Sequence, residues 1–128
     1  MKKNWIKILS VVFVCLVGLF VFGAFAQGND TRKEVVIFYS PYCPHCHHAL
    51  EFLEKEIEPK YKDIKVTKYN TSTKTGVNYY YHYKKKFNFE GEGVPLVIFG
   101  EELEYGFGTA DTTGKKYIEH IEKMLNSK

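Results

Sequence analysis

The sequence predicts an α/β domain, a four-stranded mixed sheet with helices on both faces. Three observations predict it. The run Glu34-Val-Val-Ile-Phe-Tyr39 is β-branched and aromatic with almost no polar alternation, as a central strand buried on both faces should be. Directly after it, Cys46, Leu50, Leu53 and Ile57 form an apolar stripe at helical spacing. Further strand and helix signals then complete the order β-α-β-α-β-β-α, with no internal repeat.

The N-terminus reads as a leader rather than as part of that domain. Lys2, Lys3 and Lys7 precede an uncharged stretch from Ile8 to Ala26, which ends Ala24-Phe25-Ala26. A basic region, an apolar region and a small-x-small site predict a signal peptide over residues 1–26, with an uncleaved anchor as the alternative. Residues 27–33 are a short polar linker, and residues 34–128 the domain. Taking 26 from the 128 residues leaves 102, enough for one domain. Three of the 18 basic side chains leave with the leader, so 15 face 15 acidic ones. That balance gives no electrostatic case for nucleic acid, or for a membrane unless the leader is retained. The expected state is a monomer, periplasmic or secreted.

The first strand is broken by Ser40-Pro41, and a helix from Pro44 to Glu58 is closed by Pro59. Glu51 and Lys55 pair on its wet side. Asp63 to Tyr69 alternates as a more exposed strand, parallel to the first. Asn70-Thr-Ser-Thr73 offers N-caps for a second helix to Phe87, with Val77, Tyr80, Tyr81 and Phe87 toward the sheet. Lys84-Lys85-Lys86 suits its last turn. The tyrosines between Tyr79 and Tyr83 divide between core and surface, with a peptide-contact surface as a minor reading. Phe89 to Gly93 is a flexible approach to the strand Val94–Phe99. Gly100-Glu101 turns the chain into a hairpin whose Leu103, Tyr105 and Phe107 alternate with polar residues. After a second glycine-rich turn, Asp111 or Thr112 caps a last helix, with Tyr117, Ile118, Ile121 and Leu125 inward.

The chemistry concentrates at Cys43-Pro44-His45-Cys46, where the first strand gives way to the first helix. With Cys15 in the leader, these are the two cysteines of the mature chain. In an oxidising compartment one such pair argues for a redox centre rather than a disulfide scaffold. A gap of two residues on a first helical turn lets the sulfurs form and break a disulfide without moving the fold. Unsatisfied N–H groups at the helix mouth favour a thiolate there. Pro44 fits the first helical position, where a missing N–H costs nothing. Cys43 is read as the exposed nucleophile and Cys46, one turn inside, as the shielded resolving thiol.

This order of elements, with Cys43-Pro-His-Cys46 after the first strand and Val94-Pro95 opening the third, resembles the thioredoxin fold. Pro44-His45 and Gly93-Val94-Pro95 are similar to the DsbA family of thiol oxidases. The length and the tail, through Gly106-Phe-Gly and Thr109-Ala-Asp111, resemble a glutaredoxin. The resemblance implies an extracytoplasmic thiol–disulfide oxidoreductase acting on protein thiols or disulfides with an unidentified redox partner. It implies a cis Pro95 beside the cysteines, and a Val94 backbone that pairs with an extended substrate. Pro44 and His45 would tune the site, with His45 a donor to the Cys43 thiolate, and the net direction would be oxidation or shuffling. The glutaredoxin side implies Thr109 and Asp111 as glutathione contacts and a glutathione-dependent reductase as the alternative. No cofactor beyond the Cys43–Cys46 disulfide, with glutathione as an optional co-substrate, is expected. Two departures stand out. Ile37 occupies the position, six residues before Cys43, where many thioredoxin-like proteins carry a buried carboxylate. The helical insertion of the DsbA family is absent.

Two rival readings use the same residues. Cys43-Pro-His-Cys-His47 also satisfies the c-type haem attachment pattern, with Met124 as the one methionine of the mature chain. A zinc or copper carrier would draw on His45, His47 and His48 around the sulfurs, yet one helix points these rings to different sides. Neither rival explains the strand before the motif or Val94-Pro95, so no metal ligands are assigned. Asn29-Asp-Thr31 and Asn70-Thr-Ser72 match glycosylation sequons.

Overall fold

The computed structural model describes residues 32–127; the expected leader and residues 27–31 of the linker lie outside the described residues. Four strands form one sheet in the order β2-β1-β3-β4. β1 (Lys33–Tyr39) runs parallel to β2 (Ile64–Asn70) and antiparallel to β3 (Leu96–Phe99). β4 (Glu102–Tyr105) pairs antiparallel with β3 through the Gly100-Glu101 hairpin. Three helices cover the sheet: α1 (Pro44–Phe52), α2 (Lys74–Phe87) and α3 (Lys115–Asn126).

The absence of alternation in β1 has the expected cause. Val35, Val36, Ile37 and Phe38 are all buried, and successive residues serve opposite layers. Val35 and Ile37 join Ala49 and Phe52 of α1, Leu53 just beyond it, and Tyr117 and Ile121 of α3. Val36 and Phe38 join Leu96, Ile98 and Tyr80 of α2. One residue of slip would exchange the two cores, so the register is strongly specified.

Helical boundaries differ in instructive ways. Past Phe52, α1 widens into a π-type turn, Leu53–Ile57, where Glu58 N–H reaches Leu53 O at 2.9 Å. On α2, Tyr81 was expected inward but is 56% exposed. Tyr80, Tyr83 and Phe87 share a face at i, i+3 and i+7, and Tyr83 takes the place beside Phe38, with ring centroids 5.5 Å apart. Phe107 does not extend β4. Gly106 turns at φ 77°, and Phe107 packs between Phe52 and Tyr117 at 5.5 and 5.4 Å. The cap before α3 lies at Thr109, earlier than Asp111 or Thr112. Thr109 and Thr112 close a reciprocal capping box over the wide turn Ala110–Gly114. β1 begins one residue early, at Lys33, whose ammonium donates to Met124 O and Ser127 O at the end of α3.

Candidate active site

The site is built where β1 ends. Tyr39 O accepts from Thr71 N–H at 2.8 Å and from its hydroxyl at 3.1 Å, which fixes the root of the loop to the end of β2. Ser40–Cys43 then closes a turn, with Cys43 N–H on Ser40 O at 3.2 Å and Tyr42 N–H on Ser40 Oγ at 3.3 Å. The turn delivers Cys43 as the N-cap of α1, with Pro44 at the first helical position. Cys43 Sγ accepts from Cys46 N–H at 3.2 Å, so the sulfur itself satisfies an orphan donor of the helix.

The two thiols are unequal. Cys43 is half-buried and Cys46 has no exposed surface. Cys43 Sγ–H donates to Val94 O at 3.6 Å. The Val94–Pro95 peptide bond is cis, and Pro95 is fully buried. The structure thus brings Cys43, with Cys46 beside it, to Val94, which stands 51 residues away in the chain and is followed by Pro95.

His45 is placed differently from expectation. Its Nδ1–H donates to Phe107 O at 2.9 Å, so that nitrogen is engaged by the glycine-rich loop rather than by the Cys43 thiolate. The reason is the inward turn of Phe107, which aims its carbonyl at the first turn of α1. His47 Nε2–H likewise donates to Pro41 O at 2.9 Å. Both rings face backbone carbonyls, and among the described residues no group of three or more His, Cys, Asp or Glu is arranged to hold a metal. Thr109 and Asp111 lie exposed on the capping turn. Thr109 lines a groove of about 470 Å³ with His48, Phe52 and Phe107.

Sequence reasoning missed the ties that hold the approach to Val94. Tyr80 OH donates to Gly93 O at 3.5 Å, Tyr105 OH to Glu90 O at 3.4 Å, and Lys84 Nζ to Gly91 O at 3.0 Å. Gly91 and Gly93 adopt φ of 101° and 127°, a region that disfavours side chains. Paired glycines were the available signal, but they were read as flexibility.

The glutaredoxin family model matches residues 35–103, more than half of the 128-residue chain. The chain belongs to the glutaredoxin family. It is a thiol–disulfide oxidoreductase of that family, carrying a Cys43/Cys46 pair on the thioredoxin fold, with protein thiols or glutathione as the implied partners. No curated protein matched the sequence. The glutaredoxin match takes in both cysteines and Val94-Pro95, and it ends before Thr109 and Asp111.

Burial pushes the Cys46 thiol from the ordinary value of 9.0 up to about 12, with Cys43 adding to the rise and a backbone contact from Ser40 opposing it. A folded value above the unfolded one makes the contribution to stability complete below pH 9.0 and lost as pH climbs toward about 12. Tyr105 and Tyr117, also raised by burial first, act in the same direction. Comparing Cys43→Ser with Cys43→Ser/Cys46→Val in thermal melts isolates Cys46. The single variant should lose ground to the double variant across that alkaline window, and parallel curves would show that Cys46 ionises freely in the folded protein. Iodoacetamide at about pH 8 should correspondingly place one adduct on the native reduced protein, at Cys43.

Proposed function

We propose that this glutaredoxin-family enzyme works outside the cytoplasm and exchanges disulfides with protein substrates. The observation that carries the reading is the unequal burial of the two sulfurs: Cys43 at the helix mouth beside Val94 O, Cys46 wholly enclosed behind it. In the reducing direction, the Cys43 thiolate attacks one sulfur of a substrate disulfide. That S–S bond breaks, one substrate thiolate leaves, and a mixed disulfide joins Cys43 to the other half. Cys46 then gives up its proton and attacks Cys43 Sγ, forming the Cys43–Cys46 disulfide and releasing the second substrate thiolate. The reverse sequence oxidises a substrate dithiol. Val94 supplies the edge on which an extended substrate pairs, and Pro95, having no N–H, does not compete for the Cys43 sulfur. The Pro44-His45 pair favours the oxidising or shuffling direction of the DsbA family.

The extracytoplasmic location rests on the leader pattern of Lys2 to Ala26. No helix among the described residues is long and apolar enough to cross a membrane. A glutathione-dependent reductase is the second reading, favoured by the family and by the Thr109-Ala-Asp111 turn beside its groove.

The purified protein should reduce insulin disulfides with dithiothreitol as electron source, and glutathione should not be required. Inactivity toward insulin, with rapid turnover of glutathione mixed disulfides, would establish the second reading. N-terminal sequencing of exported material should begin at Gln27; Met1 in a membrane fraction would identify an anchor.

A further inference from the structure

Val94 belongs to two surfaces. Its carbonyl oxygen lies 3.6 Å from Cys43 Sγ, and its other flank closes a groove of about 260 Å³. Val77, Tyr80 and Tyr81 wall this groove, and Thr71 and Glu92 stand at its rim. Tyr81 is one of three large apolar side chains left exposed among the described residues, with Tyr42 and Tyr79. Its ring meets Tyr80 edge-on, with centroids 5.7 Å apart.

The charges at the rim decide what the groove admits. Among the described residues no cationic side chain lines it. Lys84 has its ammonium taken by Gly91 O at 3.0 Å and by Glu92 at 3.3 Å. A ligand carboxylate entering here would leave water and find no free cation, because Lys84 is already paired with Glu92. A neutral aromatic or aliphatic side chain would instead bury its surface on two tyrosine rings and a valine. In an extended substrate whose cysteine is bonded to Cys43, residues two apart share a face about 7 Å apart. Val94, whose carbonyl lies 3.6 Å from the Cys43 sulfur, also lines the groove, so a substrate side chain at that spacing would be carried past it.

We propose that this groove is a side-chain pocket for polypeptide substrates. It takes a bulky neutral residue near the substrate cysteine and discriminates against glutathione, whose two carboxylates it cannot pair. The proposal rests on Cys43 being the nucleophile and Val94 the docking edge, and it names the substrate class of that site.

Three symmetrical disulfides test it on the reduced full-length protein: a short amidated peptide with phenylalanine two residues from its cysteine, the same peptide with aspartate there, and glutathione disulfide. In each case Cys43 and Cys46 become a disulfide and the substrate yields two thiols. Dithiodipyridine, small and neutral, reports the reactivity of Cys43 alone. The phenylalanine peptide should exceed the other two in kcat/KM by about tenfold or more. Tyr81→Ala should lower the ratio of the phenylalanine peptide to dithiodipyridine by about fivefold, chiefly through KM. Glu92→Gln, which frees Lys84 from its carboxylate, should raise the rate with the aspartate peptide relative to that with the phenylalanine peptide. Equal rates for the three disulfides, with normal dithiodipyridine reactivity, overturn the pocket and leave the oxidoreductase standing. Failure with dithiodipyridine would overturn the nucleophile assignment as well.

Discussion

Cys43→Ser should cut disulfide reduction by at least about 10³-fold, the scale on which removing an enzyme's nucleophile is felt. Cys46→Ser should instead accumulate mixed disulfides on Cys43. The asymmetry follows from burial: a substrate sulfur can reach the half-buried Cys43, and cannot reach Cys46, which has no exposed surface. With Cys46 gone the first exchange proceeds, but nothing inside the protein attacks Cys43 Sγ to finish it. The trapped species should run as adducts on a non-reducing gel and collapse with dithiothreitol. Equal trapping by both single variants would mean that the two sulfurs are equally reachable. The resolving step carries its own difficulty. Burial holds Cys46 as the thiol at pH 7, so it must lose its proton to attack. Ile37, fully buried in the position a carboxylate would need, offers no base. The proton must move to water or to the departing sulfur as the attack occurs.

The fold was legible because its signals were local and agreed with one another. The uninterrupted apolar run of β1 meant burial on two faces, and β1 is buried on two faces. The cysteines were legible as a pair because a two-residue spacing at a helix start has few other chemical uses. What escaped the sequence depended on contacts across the fold. The inward turn of Phe107 is set by one positive-φ glycine, and it carries His45 Nδ1–H away from the Cys43 sulfur. Nothing in the four residues of the motif could signal that. Tyr81 was misplaced for a simpler reason. A run of adjacent tyrosines satisfies any helical phase, so composition could not choose Tyr80 and Tyr83 over Tyr81.

Gly76→Ala should lower the stability of the domain by about 2–3 kcal/mol and its Tm by roughly 10–20 °C. Helix propensity alone points the other way, because alanine in place of a helical glycine gains up to about 1 kcal/mol. Packing reverses the sign. Gly76 sits in the first turn of α2, where its N–H donates to Thr73 Oγ1 at 3.0 Å. A Cβ there would lie 1.8 Å from Asn70 O and 2.5 Å from Asn70 C. Both are backbone atoms, so no rotamer change relieves the clash, and either α2 or the end of β2 must move. The end of β2 is not free to move without consequence, since the adjacent Thr71 holds Tyr39 O at the root of the Cys43 loop. The variant should therefore lose disulfide-exchange activity before it unfolds, as the loop shifts relative to Val94. Asn78→Ala, on the exposed side of the same helix, should change stability by less than about 0.5 kcal/mol. A Tm for Gly76→Ala equal to or above that of the parent would show that α2 does not press on the end of β2.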